Sequence, residues 1–134
     1  METLYIMVGC PGSGKSTIAK KMIEWYKENA PMFSLKYVSR DEIRFSIIGN
    51  PDEESKNEEE YFSRENEVWE KYVAEIVEGL ESGRTVIADA THLNKKSRLK
   101  LLNAIREKND ELLHNTYIST VFVDTPLETC LERN

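Results

Sequence analysis

The sequence predicts a single α/β domain built around a mainly parallel sheet. Short apolar runs alternate with longer amphipathic segments, the order a parallel sheet demands because each crossover needs a helix. The runs Leu4-Tyr5-Ile6-Met7-Val8 and Thr85-Val86-Ile87-Ala88 are continuously apolar, as strands covered on both faces are. A glycine-rich turn, Gly9 to Gly14, joins the first run directly to a helical pattern.

The first strand is expected over residues 3–8. A helix follows from Lys15 to Asn29, with Ile18, Ala19, Met22, Ile23 and Tyr26 on one face, and Ala30-Pro31 stops it. Residues 35–38 form a second strand. Ser39 with Glu42 makes a capping box and opens a short helix to Ile48, broken by Gly49-Asn50-Pro51-Asp52. A second capping pattern at Asn57 opens a long helix to Glu81. Along it Tyr61, Glu65, Val68, Trp69, Tyr72, Val73, Ile76 and Leu80 recur at steps of three and four. Glu65 is the polar member of that stripe, which places it at the mouth of the structure. Gly83 stops the helix and residues 85–88 form the third strand. Asn94 caps a helix running to Asp110, residues 117–123 form the fourth strand, and Thr125-Pro126 starts a further helix. Trp25 and Trp69 fall at core spacing and read as packing residues rather than base-stacking platforms.

The chain has 134 residues, enough for one domain with one core. At 40% hydrophobic and 31% charged it is composed as soluble domains are. No apolar run is long enough to span a bilayer, and the N-terminus lacks the features of a secretion signal. Two cysteines, Cys10 and Cys130, are too few for a disulfide framework, and a reducing cytoplasm is expected. The net charge of −6 argues against broad coating of nucleic acid but allows one strand end to be gripped in a local basic pocket. The basic cluster Lys95, Lys96, Arg98 and Lys100 reads as a solvated helix face, or as a surface that meets nucleic acid or nucleotide.

Gly9-Cys10-Pro11-Gly12-Ser13-Gly14-Lys15-Ser16 matches G-x-x-x-x-G-K-[ST], and Thr17 extends it. Glycines let successive backbone N–H groups face phosphate oxygens without Cβ clashes. The helix behind presents its positive end. Lys15 is expected to reach the β- and γ-phosphates of ATP and Ser16 to bind Mg²⁺.

Ligands of open α/β sheets sit beyond the carboxyl ends of the strands. After the second strand come Arg40, Asp41 and Arg44. Asp41 can take a proton from an attacking hydroxyl, and Arg44 can hold an anionic acceptor. Equally, Asp41 can simply favour the helix start and pair with Arg44 at the surface. Asp89 ends the third strand, where a carboxylate helps hold Mg²⁺, or it merely closes the strand. Thr91 can contact a substrate phosphate or cap locally. His92 and His114 read as ordinary loop and surface residues.

Three segments taken together, "GCPGSGKST", "VSRDEIRFSII" and "VIADATHLNKKSR", resemble the kinase domain of phage-type polynucleotide 5′-kinases in order and spacing. "VFVDTPLETCLERN" resembles the stretch leading into that family's lid. The resemblance implies transfer of the γ-phosphate of ATP to the 5′-hydroxyl of DNA or RNA. It places Asp41 on the general base and Arg44 on the arginine gripping the phosphate beside the acceptor nucleoside. Thr91 falls on the substrate-side threonine, and Lys15 and Ser16 on the nucleotide-binding pair. Two positions depart from the pattern. Ala90 stands where the family commonly has Asp, with Asp89 one residue earlier. The lid arginine expected after "ERN" is missing, which reads as a domain over 1–134 truncated at the start of the lid.

The expected fold is therefore a three-layer P-loop kinase domain with four strands in the order 2-3-1-4. ATP, Mg²⁺ and a nucleic-acid 5′ end are the expected ligands. The alternatives are a small-molecule kinase on the same scaffold, since fold does not fix substrate, and a nucleotide-binding switch without phosphotransfer.

Overall fold

The computed structural model describes residues 2–9, 14–49, 58–90 and 94–123. The elements run β1 (Glu2–Val8), α1 (Lys15–Asn29), β2 (Leu35–Ser39), α2 (Arg40–Ile48), α3 (Glu58–Glu81), β3 (Thr85–Asp89), α4 (Lys95–Lys108), a 3₁₀ turn (Leu112–Asn115) and β4 (Thr116–Phe122). All strand pairs are parallel and the sheet order is β2-β3-β1-β4, as the sequence predicts.

The alternation of side chains along each strand builds three layers. Leu4, Ile6, Val8, Val38, Val86 and Ala88 meet Tyr72, Val73, Ile76 and Leu80 of α3 and Leu101 and Ile105 of α4. The intervening positions Met7 and Ile87, with Tyr5, Leu35 and Tyr37, meet Ala19, Ile18, Met22 and Ile23 of α1. The sheet is thus covered by α1 on one face and by α3 and α4 on the other. β1 and β3 are central and read as unbroken apolar runs for that reason.

The local signals act as the chain requires. The Ser39 hydroxyl accepts from the Glu42 N–H at 3.3 Å, and the Asn94 side chain accepts from Ser97 N–H at 2.8 Å. Gly83 takes φ +80° after α3, a conformation that disfavours any side chain. Several boundaries differ from expectation: β1 begins at Glu2, β2 runs on to Ser39, and β4 spans Thr116–Phe122. β3 runs one residue further and includes Asp89, α4 ends at Lys108, and a 3₁₀ turn precedes β4. The expected caps at Asn57 and Thr125-Pro126 lie outside the described residues. Trp25 is a correction: it is 56% exposed, meeting Tyr26 edge-on at 5.3 Å, instead of packing in the core. Its position is turned about 120° from the Ala19 stripe at 100° per residue, beyond the sheet-facing arc.

Gly79 marks the tightest approach of α3 to the sheet. A Cβ there would stand 2.7 Å from Val86 Cγ2 and 2.9 Å from Lys36 Cδ. Val86 is fully buried, and the Lys36 ammonium is fixed on the Glu75 carbonyl at 2.7 Å and on the Glu78 carboxylate. Neither neighbour can retreat cheaply. Gly79→Ala gains about 1 kcal/mol of helix propensity but forces overpacking worth about 1–3 kcal/mol. A net loss of stability is expected in chemical denaturation; a gain would mean that α3 shifts freely on the sheet.

Candidate active site

Parallel strands bring their carboxyl ends to one edge. Asp89 ends β3 in register with Met7 of β1 and Ser39 of β2. It follows Ile87 by two residues, so it points to the α1 side of the sheet. There it is nearly enclosed, at 3% exposure, and meets three groups. Lys15 Nζ lies 3.7 Å from Oδ1. The Ser16 hydroxyl donates to Oδ2 at 3.0 Å, and the Tyr37 hydroxyl donates to the same oxygen at 2.5 Å. A carboxylate this buried would be costly alone; a cation and two donors make it tolerable.

α1 begins on this cluster. Gly14 holds φ +91°, which turns the chain sharply into the helix, and no side chain caps it. Lys15 is buried at the first helical position, while Ser16 and Thr17 are exposed beside it. The arrangement sets a positive helix end and an ammonium group together, the makings of a phosphate site. Gly9 is buried at the end of β1. Cys10, Pro11, Gly12, Ser13 and Thr91 lie outside the described residues.

Ser16 and Asp89 also fit a divalent cation. They offer two hard oxygen donors 3.0 Å apart, which suits Mg²⁺, an ion bound through one or two protein groups with phosphates and water completing its shell. Among the described residues no three His, Cys, Asp or Glu side chains gather into a metal cage.

Three tyrosines hold their protons unusually well. Burial, then the hydrogen bond to Asp89, pushes the Tyr37 hydroxyl up to about 12. Burial, then Tyr26, pushes Tyr5 up to about 12, and Tyr72 is raised further by burial and the Asp89 charge. Unfolded tyrosines ionise near 10. Between these values the folded chain binds more protons than the unfolded one, so stability is full below pH ~10 and falls as pH rises toward ~12. Phenolate absorbance is expected to show this delayed ionisation, and Tyr37→Phe should remove part of it. Ionisation of every tyrosine near pH ~10 in the folded protein would contradict the burial of these rings.

A second cluster forms at the start of α2. Arg44 Nη1 donates to Asp41 Oδ1 at 2.9 Å, and its Nε donates to Glu65 Oε1 at 2.7 Å. Glu65 reaches in from α3 and also lies 3.7 Å from Arg40 Nη2. The Arg40 guanidinium sits 5.2 Å over the Trp69 ring, and its buried Nε has no hydrogen-bond partner among the described residues. Asp41 is 74% exposed, so its carboxylate faces solvent beside Arg44.

The structure thus gathers Lys15, Ser16 and Asp89 in one cluster and Asp41 with Arg44 in another, both at the carboxyl edge of the sheet. Sequence reasoning gave no role to Tyr37 or Arg40, and it noted Glu65 without a partner. The available signal for Tyr37 was its place two residues before the strand end, on the parity shared by Ser39. For Glu65 it was a carboxylate interrupting an apolar stripe.

A family model described as an AAA domain matches residues 4–134. A protein of Autographa californica nuclear polyhedrosis virus, provisionally named a bifunctional polynucleotide kinase/RNA ligase, is 28% identical over 99% of this chain and 18% of its own length. Among solved structures, a chain of a Pnkp1/Rnl/Hen1 complex superposes with TM-score 0.70 at 26% identity, covering 99% of this chain and 39% of that one. A protein of Chloroflexus aurantiacus J-10-fl, provisionally described as a kinase, superposes with TM-score 0.68 at 15% identity over 98% of this chain and 64% of its own. That last likeness is one of fold. This chain therefore spans well under half of the viral relative and of the complex component.

Proposed function

The chain belongs to the AAA domain family, and from that premise we propose that it is an ATP-dependent phosphotransferase acting on the 5′-hydroxyl of a polynucleotide. The observation that carries this reading is the pairing of an exposed Asp41 with Arg44 at the end of β2, on the same sheet edge as Lys15, Ser16 and Asp89. The 28% identity to the viral protein supports the choice of acceptor.

Lys15 and the backbone from Gly9 to Gly14 would hold the triphosphate, with Thr17 at the rim. Ser16 and Asp89 would hold Mg²⁺, which neutralises phosphate charge when bound. Tyr37 fixes the Asp89 carboxylate so that it faces α1. Asp41 takes the proton from the acceptor hydroxyl as its oxygen bonds to the γ-phosphorus and the bond to ADP breaks. Arg44 grips the phosphate beside the acceptor nucleoside, and Thr91 helps to position it. Glu65 holds two Arg44 donors and so sets the angle at which the guanidinium meets that phosphate. In this reading residues 1–134 belong to one kinase domain, up to the start of its lid, working in the cytoplasm. Among the described residues no helix is long and apolar enough to cross a membrane.

An acceptor panel tests the reading. Labelled γ-phosphate should move from ATP to 5′-hydroxyl oligonucleotides, with acceptor binding that weakens as salt rises. Transfer confined to nucleosides or sugars, insensitive to salt and to loss of Arg44, would assign a small-molecule kinase instead. ATP binding without transfer to any acceptor would assign a nucleotide switch.

A further inference from the structure

We propose that the groove between α3 and α4 carries the single strand that continues beyond the acceptor nucleotide. The inference rests on the function proposed above and extends it to a binding surface. The groove encloses about 740 Å³ and is lined by Trp69 of α3 and by Lys95, Lys96, Leu99, Lys100 and Asn103 of α4, with Glu107 toward its other end. Its lining runs from residue 95 to residue 107 of one helix, about 18 Å at 1.5 Å per residue. That is room for several phosphates, since stacked strands space them by about 3.4 Å.

Charge and position together distinguish this face. The chain has 24 acidic and 18 basic side chains, and other lysines and arginines are tied to carboxylates: Lys36 to Glu75 at 3.1 Å, Arg84 to Glu78 at 3.0 Å, Lys108 to Glu70 at 3.3 Å. Lys95, Lys96 and Lys100 are exposed and make no ion pair with the described residues. Lys100 instead sits with its Nζ 4.7 Å over the Trp69 ring. A cation resting on an aromatic ring keeps its charge available to an anion.

The groove is also joined to the candidate site. Trp69 carries Arg40 at 5.2 Å as well as Lys100, and Arg40 contacts the Glu65 that holds Arg44. A cationic track therefore leads from Arg44 through Arg40 and Trp69 to Lys100, Lys96 and Lys95. A strand whose first internal phosphate lies on Arg44 finds its next favourable contacts along that track. Lys20, Lys21 and Lys27 of α1 are exposed as well, but they lie on the other face of the sheet and join no such track. A net negative chain with this cationic track beside Arg44 therefore suits one polyanionic strand rather than general coating of nucleic acid.

The test compares anisotropy of a 3′-labelled trinucleotide and dodecanucleotide, both single-stranded with 5′-hydroxyl ends, across a salt series. The proteins are the wild type, a Lys95→Ala/Lys96→Ala/Lys100→Ala variant, and a Lys20→Ala/Lys21→Ala/Lys27→Ala control. The control removes equal charge from exposed positions of α1, on the opposite face of the sheet. The wild type and control should bind the longer strand about tenfold more tightly. The groove variant should lose that gain and about 2 units of log–log salt slope, roughly 0.7 per phosphate contact. Trinucleotide and ATP binding should be unchanged, which also reports that the variant is folded. Equal binding of both lengths by the wild type, a length gain surviving in the groove variant, or an equal loss in the control would overturn the inference. Phosphate transfer to both oligonucleotides is measured alongside. Transfer without a length gain removes the groove and leaves the proposed function standing. A lysine-dependent length gain without transfer keeps the strand site and removes the kinase. No oligonucleotide binding, with transfer only to a small acceptor, removes both.

Discussion

Asp41→Asn is expected to slow phosphate transfer by about 10²–10⁴-fold, the usual worth of a general base, with ATP affinity unchanged. The stability cost should be small. Asp41 is 74% exposed, and its pair with Arg44 at 2.9 Å is of the kind worth about 0–1 kcal/mol. Its place in the first turn of α2 adds roughly 0.3–1 kcal/mol through the helix dipole. Asn keeps the shape and loses the charge, so rate and stability separate cleanly. Single-turnover transfer and a denaturation curve measure the two. A large stability loss with an unchanged rate would make Asp41 a helix-start residue only.

Lys15→Met is expected to lower transfer by about 10²–10³-fold or more, the cost of removing one preorganised positive donor from developing charge. It should also remove the stabilisation by ATP, which at a hundredfold excess over Kd is about 2.7 kcal/mol for the wild type. The unliganded protein should still fold. Asp89 would keep the Ser16 hydrogen bond at 3.0 Å and the Tyr37 hydrogen bond at 2.5 Å. The Lys15 ammonium, 3.7 Å away, is the longest of these contacts, so the loss should lie near the ~3 kcal/mol end of the cost of breaking a buried pair. Thermal unfolding with and without ATP separates the effects. An ATP-dependent shift retained in Lys15→Met would place the nucleotide elsewhere.

Much of this architecture was legible because its determinants are local. The run from Leu4 to Val8, the glycine-rich turn and the amphipathic pattern of α1 lie within one short stretch and dictate strand, turn and helix together. Ser39 and Asn94 cap the helices their spacing announces. What remained hidden depends on residues far apart in the chain. Glu65 meets Arg44 across 21 residues, and Tyr37 meets Asp89 across 52. No periodicity encodes such pairs, since sheet order and the seating of α3 decide them. Trp25 shows the opposite failure: it stands one helical step after Met22, but α1 is wet over most of its circumference and Trp25 lies outside the Ala19 stripe that reaches the sheet. Trp69 is half-buried against the core as expected, and its ring also carries Arg40 and Lys100, cations from α2 and α4.

The roles assigned to Lys15, Ser16, Asp89, Asp41 and Arg44 converge on one event, the passage of a phosphoryl group from the α1 side of the sheet edge to a hydroxyl at the start of α2. Mapping the position of labelled γ-phosphate on a 5′-hydroxyl oligonucleotide tests that event most directly. Wild-type protein should place the label on the 5′ end alone, and Asp41→Asn, still binding ATP, should place almost none. An oligonucleotide left unlabelled by wild-type protein that binds ATP, or labelled equally well by Asp41→Asn, would contradict it.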